Sequence, residues 1–258
     1  MASVLTIVFC GLFALTGYTG MLAVGGAVVL GQLLMATLPA PTDAGGVPVD
    51  ARPLLPIALG SLVATGLMMW PESLVGADGT EAVEAASATP GFQVGLGPGI
   101  AVALLTAMFV QMRRKDGRGL LVASLTSSVA AAVVAVCLSV WVTVPSLADG
   151  ESVVAAAAAG AAAASLVWLV PGPRSLIGSV GAFVGAVAGG AFGYVVADGL
   201  STDFGAALGL TAGMMIAVGR VAARAWVPPE RASLGFEGVA PLALAAPLVY
   251  LVGQFYVL

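Results

Sequence analysis

Histidine is absent from the sequence, and only 9% of the 258 residues carry a charge. Without histidine, a serine or cysteine nucleophile lacks its usual general base, and a histidine–glutamate zinc signature cannot form. No pair of aspartates lies within an apolar segment either. We therefore expect that the protein is not an enzyme.

Cysteine is nearly absent: the only two, Cys10 and Cys137, lie inside apolar runs. This argues against a disulfide framework and a Cys/His metal site, so we expect no metal and no cofactor. The glycines at 95, 97 and 99 lack the Gly-Lys-Ser/Thr ending of a phosphate-binding loop, so we interpret them as the start of a helix. The isoelectric point of about 4.6 gives no support to nucleic acid as a partner.

Apolar residues are abundant: 60% of the chain is hydrophobic and the mean hydropathy is +1.07. Most apolar runs are roughly 18 to 26 residues long, close to the length that crosses a bilayer as a helix. The sequence predicts an all-α, polytopic transmembrane bundle of about eight spans with no soluble domain. The predicted spans are 14–38, 53–71, 95–112, 119–144, 153–170, 175–197, 205–223 and 239–257.

The first apolar run, residues 3–38, is too long for one span, because a straight helix of this length would extend roughly 54 Å. We expect a break at Gly17-Tyr18-Thr19-Gly20. One full span that ends near Leu38 is favoured, with the N-terminus outside. A hairpin is the alternative; it gives nine spans and an N-terminus inside. The N-terminus lacks the basic region of a cleavable signal peptide, so insertion should use the first span itself.

A basic loop, Arg113 to Arg118, determines the predicted orientation. If this loop is cytoplasmic, successive loops alternate between the two sides of the membrane, and all nine Lys and Arg residues lie on the cytoplasmic side. The opposite side receives only acids, including the segment 72–94, whose Glu81 and Glu84 we interpret as part of a solvated loop rather than a cation site. The C-terminus is then extracytoplasmic. The predicted topology anchors are Arg113, Arg114, Lys115, Arg118, Trp70, Trp141, Trp168 and Trp226.

Charges avoid the middle of every predicted span, which argues against ion-coupled transport through this chain alone. Arg220 lies near the end of its span, where we expect its stem to extend toward the headgroups. Gln32, Gln111 and Gln254 are candidates for interhelical hydrogen bonds. Pro247 should kink the last span.

Hydroxyl groups form a candidate polar pathway, although they are more commonly packing residues. The candidates are Thr106, Ser124, Thr126, Ser127 and Ser128.

Two glycine ladders with a four-residue spacing occur on consecutive predicted helices: Gly181, Gly185 and Gly189, then Gly205, Gly209 and Gly213. This spacing leaves a groove along one helix face in which another backbone can approach closely. Packing of the two helices against each other is the simpler interpretation. A dimer face or a sliding interface is the functional alternative.

These observations favour a non-catalytic scaffold or accessory subunit of a membrane complex. The alternative is a permease or lipid-translocating subunit for an uncharged or lipidic substrate, energised by a partner. The expected partners are membrane lipids and another protein or a second copy of the chain.

Lys115 is the only lysine, and alanine and glycine are abundant, which is typical of a GC-rich bacterium. We therefore expect the plasma membrane of a bacterium.

Overall fold

The computed structural model describes residues 1–37, 43–44, 47–48, 54–69, 91–113, 121–147, 149–195, 200–226 and 234–257. These ranges are helical, apart from turns and one two-residue ladder that pairs Asp43–Ala44 with Val47–Pro48. Their α-helices, in chain order, are α1 (Ala2–Gly17), α2 (Met21–Thr37), α3 (Leu54–Met69), α4 (Gly91–Met112), α5 (Leu121–Leu138), α6 (Gly150–Val167), α7 (Arg174–Val195), α8 (Thr202–Trp226) and α9 (Leu234–Val257).

Six of these helical segments are long and apolar enough to cross a membrane, and α1, α2 and α3 are shorter apolar helices. The segment that begins with α5 continues as two 3₁₀ helices, Ser139–Val142 and Val144–Ser146. Helices suit this composition because each backbone donor and acceptor in lipid must be satisfied within its own segment. Every span predicted from the sequence overlaps one of these helices, although several helices begin or end a few residues outside the predicted bounds.

The first apolar run is broken where its glycines predict. Gly20 has a φ of +106°, which a residue with a side chain rarely adopts, so α1 ends at Gly17 and α2 starts at Met21. The favoured single helix over 14–38 is therefore replaced by two helices of 16 and 17 residues. The physical reason is that glycine gives the chain a left-handed turn at no steric cost.

Contacts between helices show which ends lie together. Gly185 of α7 approaches Gly160 of α6 and Gly209 of α8, while Gly189 approaches Gly205, so α7 runs antiparallel to α8. The starts of α6 and α8, with Asp149, Glu151 and Asp203, thus form one end of the bundle, which we name the acidic end. The opposite end, named the basic end, holds Arg174 at the start of α7 and the start of α9.

The remaining helices share the same two ends. Trp141 bonds to Leu242 and Leu147 lies against Gly253, so the segment 121–147 runs parallel to α9 from the basic end. Helix α4 is antiparallel to it, which places Arg113 at the basic end. Thr6 bonds to Gly238 of α9, and Gly17 lies against Val154 of α6. Helix α1 therefore begins at the basic end, opposite to the N-terminal placement favoured from the sequence.

Two helices form the centre of the bundle. Helix α6 is buried along most of its length through alanines, and α9 through a mixture of alanine and larger apolar residues. The alanine content of α6 favours this position, because small side chains let several neighbours approach one helix at once. Helices α1, α7, α8 and α9 all pack against α6.

Candidate functional site

A polar cluster lies inside the bundle where α2, α3 and the end of α5 meet. Gln32 Nε2 lies 2.8 Å from Ser139 Oγ, 3.2 Å from the carbonyl oxygen of Ala135 and 3.3 Å from Thr65 Oγ1. The hydroxyl oxygens of Thr65 and Ser139 are 2.9 Å apart. We name these groups the Gln32 cluster. Gln32, Thr65 and Ser139 are at most 5% exposed, so the cluster is shielded from solvent and lipid alike.

The Gln32 cluster contains only neutral donors and acceptors. It can therefore hold helices in register or bind a neutral hydrogen-bonding molecule, but it supplies no acid or base near neutral pH. Gln32 was a sequence candidate for an interhelical bond, whereas Ser61, Thr65 and Ser139 were missed. Ser61 and Thr65 are four residues apart, so they share one face of an otherwise apolar helix, a spacing that could have indicated a polar face.

A second polar group joins α1, α6, α8 and α9 near the basic end. Arg220 Nη2 donates to Thr6 Oγ1 at 2.9 Å, and Arg220 Cζ lies 6.0 Å from the ring centroid of Trp168. Thr6 Oγ1 in turn lies 2.8 Å from the carbonyl oxygen of Gly238. We name this group the Arg220 junction.

The Arg220 junction corrects the expectation that Arg220 extends toward the headgroups. Arg220 is only 4% exposed, and α8 continues to Trp226, about 9 Å further along the helix. The guanidinium turns inward because a hydroxyl and an aromatic face there both attract a cation. Thr6 was not a sequence candidate, because a lone threonine in an apolar helix usually bonds its own backbone.

The hydroxyls of the candidate polar pathway do not share one surface. Ser124 and Ser128 are buried, and Gln111 Nε2 lies 3.5 Å from Ser128 Oγ. Thr126 is exposed, and Ser127 is half-buried. Thr106 is also half-buried, and it donates to the carbonyl of Val102 one turn back at 2.7 Å. The structure thus brings Gln111 and Ser128 together and leaves Thr126 on the outer surface.

The predicted glycine ladders lie against each other within one chain. A Cβ added to Gly185 would be 2.8 Å from the carbonyl oxygen of Gly209, and one added to Gly205 would be 2.5 Å from that of Gly189. A Cβ on Gly213 would be 3.0 Å from Ala182 Cα, while one on Gly181 has more room. Gly160 of α6, which the sequence analysis did not single out, also contacts Gly209 and Gly185. Three helices therefore approach backbone to backbone at this point.

A second close interface, between α3 and α4, was missed. A Cβ on Gly60 would be 2.9 Å from the carbonyl oxygen of Gly99, and one on Gly95 would be 2.6 Å from that of Ala64. The glycines at 95 and 99 were interpreted as a helix start, although their four-residue spacing continues to Ala103. The four-residue spacing could have predicted this interface, because the two glycine ladders have the same spacing.

Trp141 was predicted to anchor the outer interface, but it is fully buried. Its ring stacks on Phe13 with the centroids 5.2 Å apart, and Nε1 donates to the carbonyl of Leu242 at 3.0 Å. The indole N–H therefore has a hydrogen-bond acceptor inside the bundle, on the backbone of α9. A tryptophan whose N–H has such an internal partner does not need the interface to satisfy it.

The other predicted anchors fall in different places. Trp168 is half-buried at the end of α6, in the Arg220 junction, and Arg113 is exposed with Cζ 5.6 Å from the ring centroid of Phe109. Trp226 is the last residue of α8. Trp70, Arg114, Lys115 and Arg118 lie outside the described residues, as does the acidic segment 72–90. Within the described ranges, no three His, Cys, Asp or Glu residues converge as metal ligands would.

Several long apolar helices with buried polar clusters define the class: this is a helical protein suited to crossing a membrane more than once. No protein-family model matches the sequence, and neither a curated protein nor a solved structure matches it significantly.

Proposed function

We propose that this chain is a non-catalytic integral protein of a bacterial plasma membrane, where it acts as a scaffold or accessory subunit of a membrane complex. The proposal rests on one observation: the polar groups in the interior bond helices to each other. In both the Gln32 cluster and the Arg220 junction, side chains bond one helix to another. Polar groups used in this way stabilise a fixed arrangement of helices.

The close glycine interfaces support the same role. Helices α6, α7 and α8 approach backbone to backbone, and α3 and α4 do the same. Such contacts leave no space between the helices for a solute, and they favour a rigid bundle. A rigid bundle with an apolar exterior is suited to presenting a fixed surface to a partner within the membrane.

Purification tests this proposal. After extraction in a mild detergent or in native-lipid particles, we expect a second protein or a second copy of this chain to remain bound at a fixed ratio, measured by native mass spectrometry. A chain that is monomeric and alone under both conditions, although well folded, would contradict the scaffold role.

One exposed surface allows a sharper test of where a partner binds. Gly97 and Ala101 of α4 are exposed one turn apart, and a Cβ on Gly97 would meet nothing within 4 Å. Leucine at both positions should block a helix that approaches this face while leaving the fold intact. Gly66→Leu on α3, another exposed glycine with open space, is the matched control. We expect the double variant, but not the control, to lose the partner.

A permease or lipid-translocating subunit for an uncharged or lipidic substrate is the second candidate. It is favoured by one observation, the contact of Gln111 with Ser128 between α4 and α5 near the basic end. In proteoliposomes that also contain the energising partner, Ser128→Ala should then change flux, whereas the exposed Thr126→Ala should not. Equal flux in both variants at equal expression would argue against this role.

A further inference from the structure

Ser61 presents a buried hydroxyl beside the Gln32 cluster. Its side chain is 2% exposed, and Ser61 Oγ has no hydrogen-bond partner within the part of the chain that the structure describes. Thr65, one turn further along α3, belongs to the Gln32 cluster and lies 2.9 Å from Ser139. A polar face of α3 thus extends one turn beyond the bonded cluster.

An unbonded hydroxyl is costly in this environment. Buried polar groups in folded proteins nearly always bond to protein or to an ordered water, and lipid offers no alternative partner. Side chains four residues apart on a helix have Cβ atoms about 5–6 Å apart. One water molecule with two hydrogen bonds of about 2.8 Å spans that separation.

The chemistry of the Gln32 cluster restricts what Ser61 can bind. Gln32 Nε2 directs amide hydrogens into the cluster, which disfavours a bound cation. The cluster contains no cationic group, which disfavours an anion. A small neutral molecule that both donates and accepts fits the hydroxyls of Ser61 and Thr65.

We propose that Ser61 and Thr65 hold one water molecule inside the bundle, and that this water joins Ser61 Oγ to the Gln32 cluster. The site is a binding site for a water-sized neutral ligand. It extends the three-helix contact of Gln32, Thr65 and Ser139 by one turn of α3, and it is independent of the proposed scaffold role.

Thermal unfolding of Ser61→Ala tests the proposal. If water bonds Ser61, removal of the hydroxyl breaks a bonded network, and we expect the midpoint to fall by about 2–4 °C. If the hydroxyl is unbonded, its removal relieves a burial cost and the midpoint should rise. A rise would overturn the proposal.

Ser165→Ala is the matched control. Ser165 is fully buried and its Oγ likewise has no partner in the described ranges, but the residues four positions away, Ala161 and Leu169, are apolar. We expect its midpoint to rise or stay constant. An equal fall in both variants would show a general effect of removing serine and would overturn the proposal.

An experimental structure at a resolution that shows ordered water gives the direct test. We expect a density peak about 2.8 Å from Ser61 Oγ in the wild type, and its loss in Ser61→Ala. A Ser61 hydroxyl that instead bonds the carbonyl of Ile57, one turn back, would contradict the proposal.

Discussion

Polar side chains in this bundle make two kinds of bond. Thr16, Thr143 and Thr106 donate to carbonyls three or four residues earlier in their own segments, which affects only the local backbone. Gln32 and Arg220 instead bond across helices. We expect only the second kind to contribute strongly to the stability of the fold.

Gln32→Leu should lower the free energy of unfolding by about 1–2 kcal/mol, because it removes an amide with three close polar neighbours from the interior. Unfolding in a detergent–denaturant titration measures this change. Gln254→Leu is the control, since Gln254 is half-buried and Tyr250, which it bonds, lies on the same helix. Equal losses in the two variants would show that the Gln32 cluster holds no helices together.

Arg220 and Thr6 should be energetically coupled. A double-mutant cycle with Arg220→Met and Thr6→Val isolates their shared bond, for which we expect a coupling of about 1.5–3 kcal/mol, typical of a hydrogen bond to a charged group. Strictly additive losses in unfolding free energy would mean that the contact does not stabilise the protein.

At the scale of the helix, close packing depends on glycines that face another backbone. The interface between α7 and α8 is the most extensive in the molecule's described part, and the one between α3 and α4 follows it. Both contain glycines at four-residue spacing, which lets van der Waals contact replace the hydrophobic effect as the source of association in lipid.

Gly209→Leu should prevent normal packing, because the side chain would overlap the carbonyl group of Gly185. Backbone cannot move aside as a side chain can, so we expect a loss of at least about 3 kcal/mol in unfolding free energy or a failure to accumulate in the membrane. Gly26→Leu on α2 is the control, since it is exposed with open space around it. Unchanged yield, thermal stability and oligomer size in Gly209→Leu would refute this interface.

Most of the charged residues that the structure describes lie at one of the two ends of the bundle. Among the described residues, Asp149, Glu151 and Asp203 lie at the acidic end, and Arg113 and Arg174 lie at the basic end. Glu237, in the first turn of α9, is an acid at the basic end. The bias of Lys and Arg, rather than net charge, decides orientation, so this one acid does not alter the expectation.

We expect the basic end to face the cytoplasm, with both α1 and α2 crossing the bilayer. A reporter fused before Met1 should then be cytoplasmic, because α1 begins at the basic end, and one fused after Leu258 should be extracytoplasmic. Alkaline phosphatase and green fluorescent protein fusions measure the two positions. Both termini on the same side would contradict the hairpin of α1 and α2, and reversed sides would contradict the orientation.

The sequence by itself determined that the chain is helical and apolar enough for a membrane, because lipid leaves helices as the way to satisfy the backbone of such runs. It also located the break at Gly17 to Gly20, since glycine conformation is a local property. The glycine spacing on α7 and α8 indicated a close-packing face, because the order of residues along a helix determines which of them share a face.

Only the tertiary structure decided which faces meet. Arg220 and Trp141 turn inward, and Thr6, Thr65 and Ser139 receive partners from distant parts of the chain. Sequence patterns could not show this, because the interior and the lipid-facing exterior of a membrane bundle are both apolar. An apolar helix therefore carries little amphipathic signal for its buried side, and the partners of its few polar groups become evident only once the helices are packed.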